Sequence, residues 1–195
     1  MPEKAILVVA GNPSVGKDSY CQHLVETHGA VIFSPGDAIR KFATENDLPR
    51  GTREDLRIAS LEMERKLGKT SLAEAVRKSE ADFICLPGTR RPVLQDAIHA
   101  LGGKTLALWG SVYTRYQNSL NDPLRDRGRN IREFWLEEMQ EYFNADPNMS
   151  ATITVMQTAH YHLSIEGKSL EQIFVEADEL VLPDLLSTTS LSTAG

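Results

Sequence analysis

Cysteine is almost absent from this chain of 195 residues: Cys21 and Cys85 are the only two, and they form no close-spaced metal or redox pattern. A disulfide-stapled secreted scaffold is therefore excluded. One thiol lies in a helical stretch and the other in an apolar strand, so both read as small buried groups in a reducing compartment. Long apolar runs are missing too. No stretch approaches a membrane span, and the N-terminus has no basic region followed by a cleavable apolar segment, which makes the cytoplasm the expected location. Positive charge is in deficit, with 21 Lys and Arg against 27 Asp and Glu for a net charge of -6. That balance argues against a surface that coats nucleic acid and assigns clustered arginines to a small anionic ligand. With no internal repeat and no long linker, the length suits a single α/β domain with a sizeable core.

What the chain does have is concentrated at one place. The apolar run Ala5-Ile6-Leu7-Val8-Val9-Ala10 has strand length and leads into Gly11-Asn12-Pro13-Ser14-Val15-Gly16-Lys17, with Asp18 and Ser19 at the start of a helical spacing. This is the G-x-x-x-x-G-K pattern between a strand and a helix. The glycines let the backbone wrap an anion with its N–H groups pointing inward, and the helix beginning near Lys17 adds the positive end of its dipole. Phosphates are the expected ligand. Where a Ser or Thr that binds Mg²⁺ usually follows the lysine, this chain has Asp18. Ser19 is rotated about 100° around the helix and does not stand in for it, so a carboxylate is the expected metal ligand.

Downstream, short apolar strands are predicted at Ala30–Phe33 (buried), Asp82–Leu86, Lys104–Trp109 and Tyr161–Ile165. They alternate with helices at roughly Thr52–Leu67, Ser71–Lys78, Pro92–Leu101, Ile131–Phe143 and Ser169–Leu180. A further helix follows Ser34-Pro35-Gly36, where Asp37 is expected to cap the N-terminus and Arg40 falls one turn in. Residues Ala151–Ala159 are ambiguous between strand and helix. The alternation implies βαβ units and a mostly parallel sheet covered on both faces, with ligands at the strand C-terminal ends. Arg40, and Arg90 in Pro87-Gly88-Thr89-Arg90, both follow strands and should reach that edge. Arg125, Arg127 and Arg129 alternate in a polar segment suited to a closing lid.

From about Lys4 to Leu182 the chain resembles the P-loop nucleoside monophosphate kinases, both adenylate-kinase-like and deoxynucleoside monophosphate kinase-like, in which the phosphate loop also reads G-K-D. Gly36-Asp37-Ala38-Ile39-Arg40 is similar to the family's G-D-x-x-R acceptor motif, and Pro87-Gly88-Thr89-Arg90 to its D-G-x-R strand end. The resemblance implies a three-layer α/β/α fold with a parallel sheet and a short helical lid. It implies one kinase domain over residues 1–186, with acceptor helices at about 37–80, a lid at about 115–135 and a flexible tail at 187–195. It also implies transfer of the γ-phosphoryl of ATP, with Mg²⁺, to a nucleoside or deoxynucleoside monophosphate. Gly11 to Ser19 would hold the donor, Lys17, Arg90, Arg125 and Arg129 would act on the moving phosphoryl, and Asp18 would hold the metal. Asp37, Arg40, Gly88 and Arg90 would bind the acceptor. The family's magnesium-organising aspartate is Pro87 here, and Glu166 replaces a more familiar asparagine in the loop that borders adenine.

Two other readings stay open: a dephospho-CoA-kinase-like enzyme that phosphorylates a hydroxyl, for which Asp37 is the early candidate base, and a non-catalytic nucleotide-binding regulatory module. Expected partners are the nucleotide donor and a small phosphorylated acceptor, not nucleic acid or membrane, and a homodimer is left open. His23, His28, His99, His160 and His162 invite a metal hypothesis. No carboxylate or cysteine falls at ligand spacing near the His160/His162 pair, however, so packed or surface histidines are favoured. Trp109 reads as a rim aromatic more readily than as a base platform. No serine lies in a nucleophile elbow.

Overall fold

The run Ala5–Gly11 is apolar without alternation, as befits a strand covered on both faces, and all seven of its residues are buried. It forms β1, the centre of a five-stranded all-parallel sheet in the computed structural model, which describes residues 4–121, 130–136 and 147–190. The strands are β1, β2 (Val31–Ile32), β3 (Phe83–Pro87), β4 (Lys104–Trp109) and β5 (Tyr161–Ser164), in the order β2-β3-β1-β4-β5. Ala5 stands opposite Phe83 on one side, and Gly11 opposite Leu108 on the other.

Alternate residues of β1 feed two separate cores, and this gives the three-layer α/β/α architecture. Leu7 and Val9 join Leu106, Leu108 and Leu163 beneath α1 (Lys17–His28), which contributes Tyr20, Cys21 and Leu24. The same core takes Ile173, Ala177, Val181 and Leu185 from the last helix, Leu170–Ser190. Ile6 and Val8 face the other way with Ile84 and Leu86, under α2 (Pro35–Glu45), α3 (Arg53–Leu67), α4 (Ser71–Lys78) and α5 (Pro92–His99). Between β4 and β5 lie α6 (Val112–Leu120), helical residues 131–136 (α7) and α8 (Pro147–Gln157), and α9 is the last helix. Among the described residues no helix is long and apolar enough to cross a membrane.

Local chemistry sets most boundaries. Thr52 and Asp55 form a reciprocal capping box at the start of α3, and Ser111 caps α6 by accepting from the Thr114 N–H. Three expectations are corrected and one open assignment is settled. At α2 the cap is Ser34, which accepts from the Asp37 N–H at 3.2 Å; Pro35 holds the first helical position, and Asp37 sits in the first turn. β2 is not a buried strand: it pairs only with β3, at the sheet edge, and Val31 and Ile32 are 49% and 37% exposed. The ambiguous segment beginning at Ala151 is helical, as part of α8. The last helix runs past Leu180 and through Pro183 to Ser190, so Ser187–Ser190 belong to α9 rather than to a tail. Burial of Val181 and Leu185 on either side of the proline offsets the hydrogen bond the helix loses there.

The loop after β5 is tied to α6 by one carboxylate. Glu166 accepts from the Ser111 backbone N–H and, at 2.5 Å, from the Thr114 hydroxyl. The Ser111 N–H first and the Thr114 hydroxyl second hold its pKa below the ordinary 4.5. A carboxylate with a depressed folded pKa contributes stability that is complete above the unfolded value and is lost as pH falls through the folded one. Glu166→Gln should therefore unfold at lower urea concentration than wild type at about pH 7, and the gap should close on acidification to about pH 3. Urea midpoints of the two proteins across that range test this.

Candidate functional site at the strand C-terminal edge

The turn after β1 is shaped by what does not fit there. A Cβ on Gly11 would sit 2.6 Å from the Leu108 carbonyl oxygen and 2.7 Å from Val15 Cγ2, so only glycine lets the loop leave the sheet this close to β4. Ser14 (φ 62°) and Gly16 (φ 88°) both adopt the left-handed conformation, which turns successive N–H groups toward one concavity. Val15 is fully buried and anchors the loop from below, while Asn118 Nδ2 on α6 donates to the Ser14 carbonyl at 3.1 Å. Gly16 caps α1 without a side chain, so the first-turn N–H donors are left to a ligand. Lys17 Nζ makes a long 3.4 Å bond to the Asn12 carbonyl across the loop.

β3 delivers its C-terminal turn beside this loop. The Gly88 N–H donates to the Val9 carbonyl at 3.0 Å, and a Cβ at Gly88, whose φ is +69°, would lie 3.4 Å from Lys17 Cε. Lys17 and Gly88, two residues expected in the site, are thus in direct proximity. Next to Gly88, Thr89 is 2% exposed and its hydroxyl is buried without a hydrogen-bond partner among the described residues; the Ser14 hydroxyl is in the same condition. Two such orphans at one sheet edge suit a site that expects polar ligand atoms. Thr89 was not singled out from the sequence, where nothing separates it from any loop threonine.

The arginines divide into two kinds. Arg91, adjacent to Arg90, pairs with Glu64 and donates to Ser60 Oγ at 3.0 Å, and partial burial lowers its pKa from the ordinary arginine value. It fastens α5 to α3. Arg115 is 3% exposed, donates through Nε to the Gly110 carbonyl at 3.1 Å and lies 6.0 Å over the Phe134 ring. It is packed inside the protein, against the Gly110 carbonyl and Phe134. Arg90 is half-buried and has no ion pair or side-chain hydrogen bond among the described residues. Arg40 pairs with Asp37 at 2.6 Å, with the two side chains 53% and 73% exposed, so water screens the pair and a stronger anion can displace it. Arg125, Arg127 and Arg129 lie outside the described residues.

Asp18 and Ser19 are both exposed on the first turn of α1. A single carboxylate beside a phosphate cradle fits Mg²⁺, which keeps most of its water and takes one or two carboxylates plus phosphate oxygens. Pro87, at the end of β3, has no side-chain oxygen to add. Glu166 is bonded to α6 through Ser111 and Thr114. Trp109, 48% exposed, lines a cleft with Asn12, Ile153, Met156 and His162.

No protein-family model matches the sequence, and no curated protein matches it. Solved structures do match the fold. A gluconokinase from Sinorhizobium meliloti aligns over 97% of this chain and 96% of its own at 14% identity, with a TM-score of 0.52. A shikimate kinase from Acinetobacter baumannii in complex with shikimate covers 94% of this chain and 96% of its own at 14% identity, with a TM-score of 0.54. An uncharacterized protein from Eubacterium ventriosum reaches a TM-score of 0.62 at 7% identity, over 92% of this chain and 99% of its own. The chain has the fold of the P-loop kinases.

Proposed function

We propose that the protein is an ATP-dependent P-loop kinase that transfers the γ-phosphoryl group to a small anionic acceptor, a nucleoside or deoxynucleoside monophosphate. The observation that carries this reading is the cradle from Gly11 to Lys17, with Gly88 left open against the stem of Lys17. The loop N–H groups and Lys17 hold the donor phosphates, with Asn12, Pro13, Ser14 and Val15 shaping the wall. Asp18 holds Mg²⁺, which when bound neutralises charge on the donor phosphates. Arg90, uncommitted among the described residues, and Arg40, in a screened pair, take the acceptor phosphate; Asp37 aims the Arg40 guanidinium. Arg125 and Arg129 close over the moving group. A phosphate acceptor needs no general base, since its oxygen is already ionised at neutral pH.

A second reading has a specific observation behind it. Two neighbours in fold are named gluconokinase and shikimate kinase. A hydroxyl acceptor on a small acid would use Asp37 as base and Arg40 for the carboxylate. Asp37 and Arg40 are already hydrogen-bonded at the mouth of the sheet.

ADP formation from Mg·ATP, measured against ribo- and deoxynucleoside monophosphates, dephospho-CoA, gluconate, shikimate and a no-acceptor control, separates these readings. Turnover dependent on a monophosphate is the expected result. Turnover only with a hydroxyl acid supports the second reading, and ATP binding without turnover on any acceptor supports a regulatory module. Lys17→Ala should lower kcat about 100-fold or more, since it removes a cation facing the transferring phosphate. Arg40→Ala should raise the acceptor KM about tenfold and leave the KM for ATP unchanged, as expected when a charge-assisted contact to one substrate is lost.

A further inference from the structure

The P-loop end of α1 belongs to the candidate site, and the opposite end of the same helix carries an arrangement that the kinase reading does not use. His23 Nε2 lies 2.8 Å from Asp178 Oδ2, and His28 Nε2 lies 3.4 Å from the same oxygen. One donor atom from each of the three residues lies within 4.8 Å of the other two. We propose that His23, His28 and Asp178 form a binding site for Zn²⁺ that clamps the C-terminal turn of α1 to α9.

The geometry is close to what the ion requires. Zinc takes imidazole nitrogen and carboxylate oxygen at about 2.0–2.2 Å, so tetrahedral neighbours stand about 3.3 Å apart. The His28–Asp178 separation already has that value, His23 has to withdraw from Asp178 by about half an ångström, and the two histidine donors, within 4.8 Å of each other, have to settle at the same spacing. Two imidazoles and one carboxylate are a donor set for Zn²⁺ and its borderline neighbours; Mg²⁺ and Ca²⁺ prefer oxygen alone. The three side chains are 21–29% exposed, which leaves an approach for the ion and a fourth position for water.

The surroundings hold the ligands in place, as an outer shell does for bound metal. Tyr20, fully buried, donates its hydroxyl to Asp178 Oδ1 at 2.9 Å, so Oδ2 alone faces the two histidines. The His23 ring stacks on Phe174, with centroids 4.6 Å apart and planes at 19°. Tyr20 and His23 share one face of α1, and Phe174 and Asp178 share one face of α9, so both helices present the site as rigid elements. Two features hide this group in the sequence. His23 and His28 are about 140° apart around an ideal helix, unlike a zinc-binding pair four residues apart. The carboxylate that unites them is 150 residues beyond His28.

The test uses the full, untagged chain, stripped with EDTA and free of nucleotide. Zn²⁺ is titrated in competition with a chromophoric chelator, and Co²⁺ in parallel as a spectroscopic probe. One Zn²⁺ per chain, the visible absorption of tetrahedral Co²⁺, and a thermal midpoint raised by Zn²⁺ are expected. His28→Gln, at an exposed position, and Asp178→Asn, which keeps the side-chain shape, should each weaken Zn²⁺ binding at least about tenfold and abolish the thermal shift. His160→Gln and His162→Gln should bind as wild type does. Absence of stoichiometric binding by the wild type would overturn the site, leaving a histidine–aspartate ion-pair cluster. So would unchanged affinity in both His28→Gln and Asp178→Asn, or transfer of the loss to the His160 and His162 variants.

Discussion

The site depends on the tight approach of Gly11 to the backbone of β4, which leaves no room for a Cβ. The central strand is covered on both faces, with its odd residues in one core and its even residues in the other, so it cannot shift to accommodate its own turn. The turn must therefore pass within van der Waals distance of the Leu108 carbonyl, and the loop that follows inherits its position from the sheet. Everything placed at this edge depends on that rigidity. Gly88 sits against Lys17 because β3 is hydrogen-bonded to β1, and Asn118 meets Ser14 because α6 begins one turn beyond β4.

Electrostatics sorts the cationic side chains by hydration. Arg115 has given up most of its water and Arg91, half-buried like Arg90, part of it, and each is matched by fixed acceptors or a ring face. A guanidinium as buried as that of Arg115 cannot leave its partners without leaving a charge uncompensated, and Arg91 is held by its ion pair with Glu64. Arg40 and Arg90 keep part of their hydration and can exchange water or a weak partner for phosphate at small cost. Arg90 and Arg91 are neighbours in the chain, yet the fold assigns them opposite duties.

Local patterns were readable where the chain itself sets the structure. The phosphate loop, the bounds of α4 and β4 and the parallel α/β class all follow from glycine placement, apolar runs and helical spacing. What could not be read depends on partners distant in sequence. The burial of Arg115 against Phe134 has no local signal. Apolar Val31 and Ile32 look buried until β2 proves to be an edge strand. Glu166 looks like a misfit in an adenine loop until it is seen accepting from Ser111. α9 exceeds its expected end because contacts with the sheet, beyond any local propensity, sustain its last turns.

The strand order has a consequence for how the chain is made. β1 is complete when residue 11 has been synthesised, but both of its hydrogen-bonding neighbours, 83–87 and 104–109, come much later. A nascent chain emerging N-terminus first therefore carries the seven-residue strand Ala5–Gly11 with both edges open through more than a third of its synthesis, and with one edge open until β4 follows. Such non-local parallel pairing is slow to form and prone to aggregation. The segment that organises the finished site is thus the one that most needs protection on the ribosome.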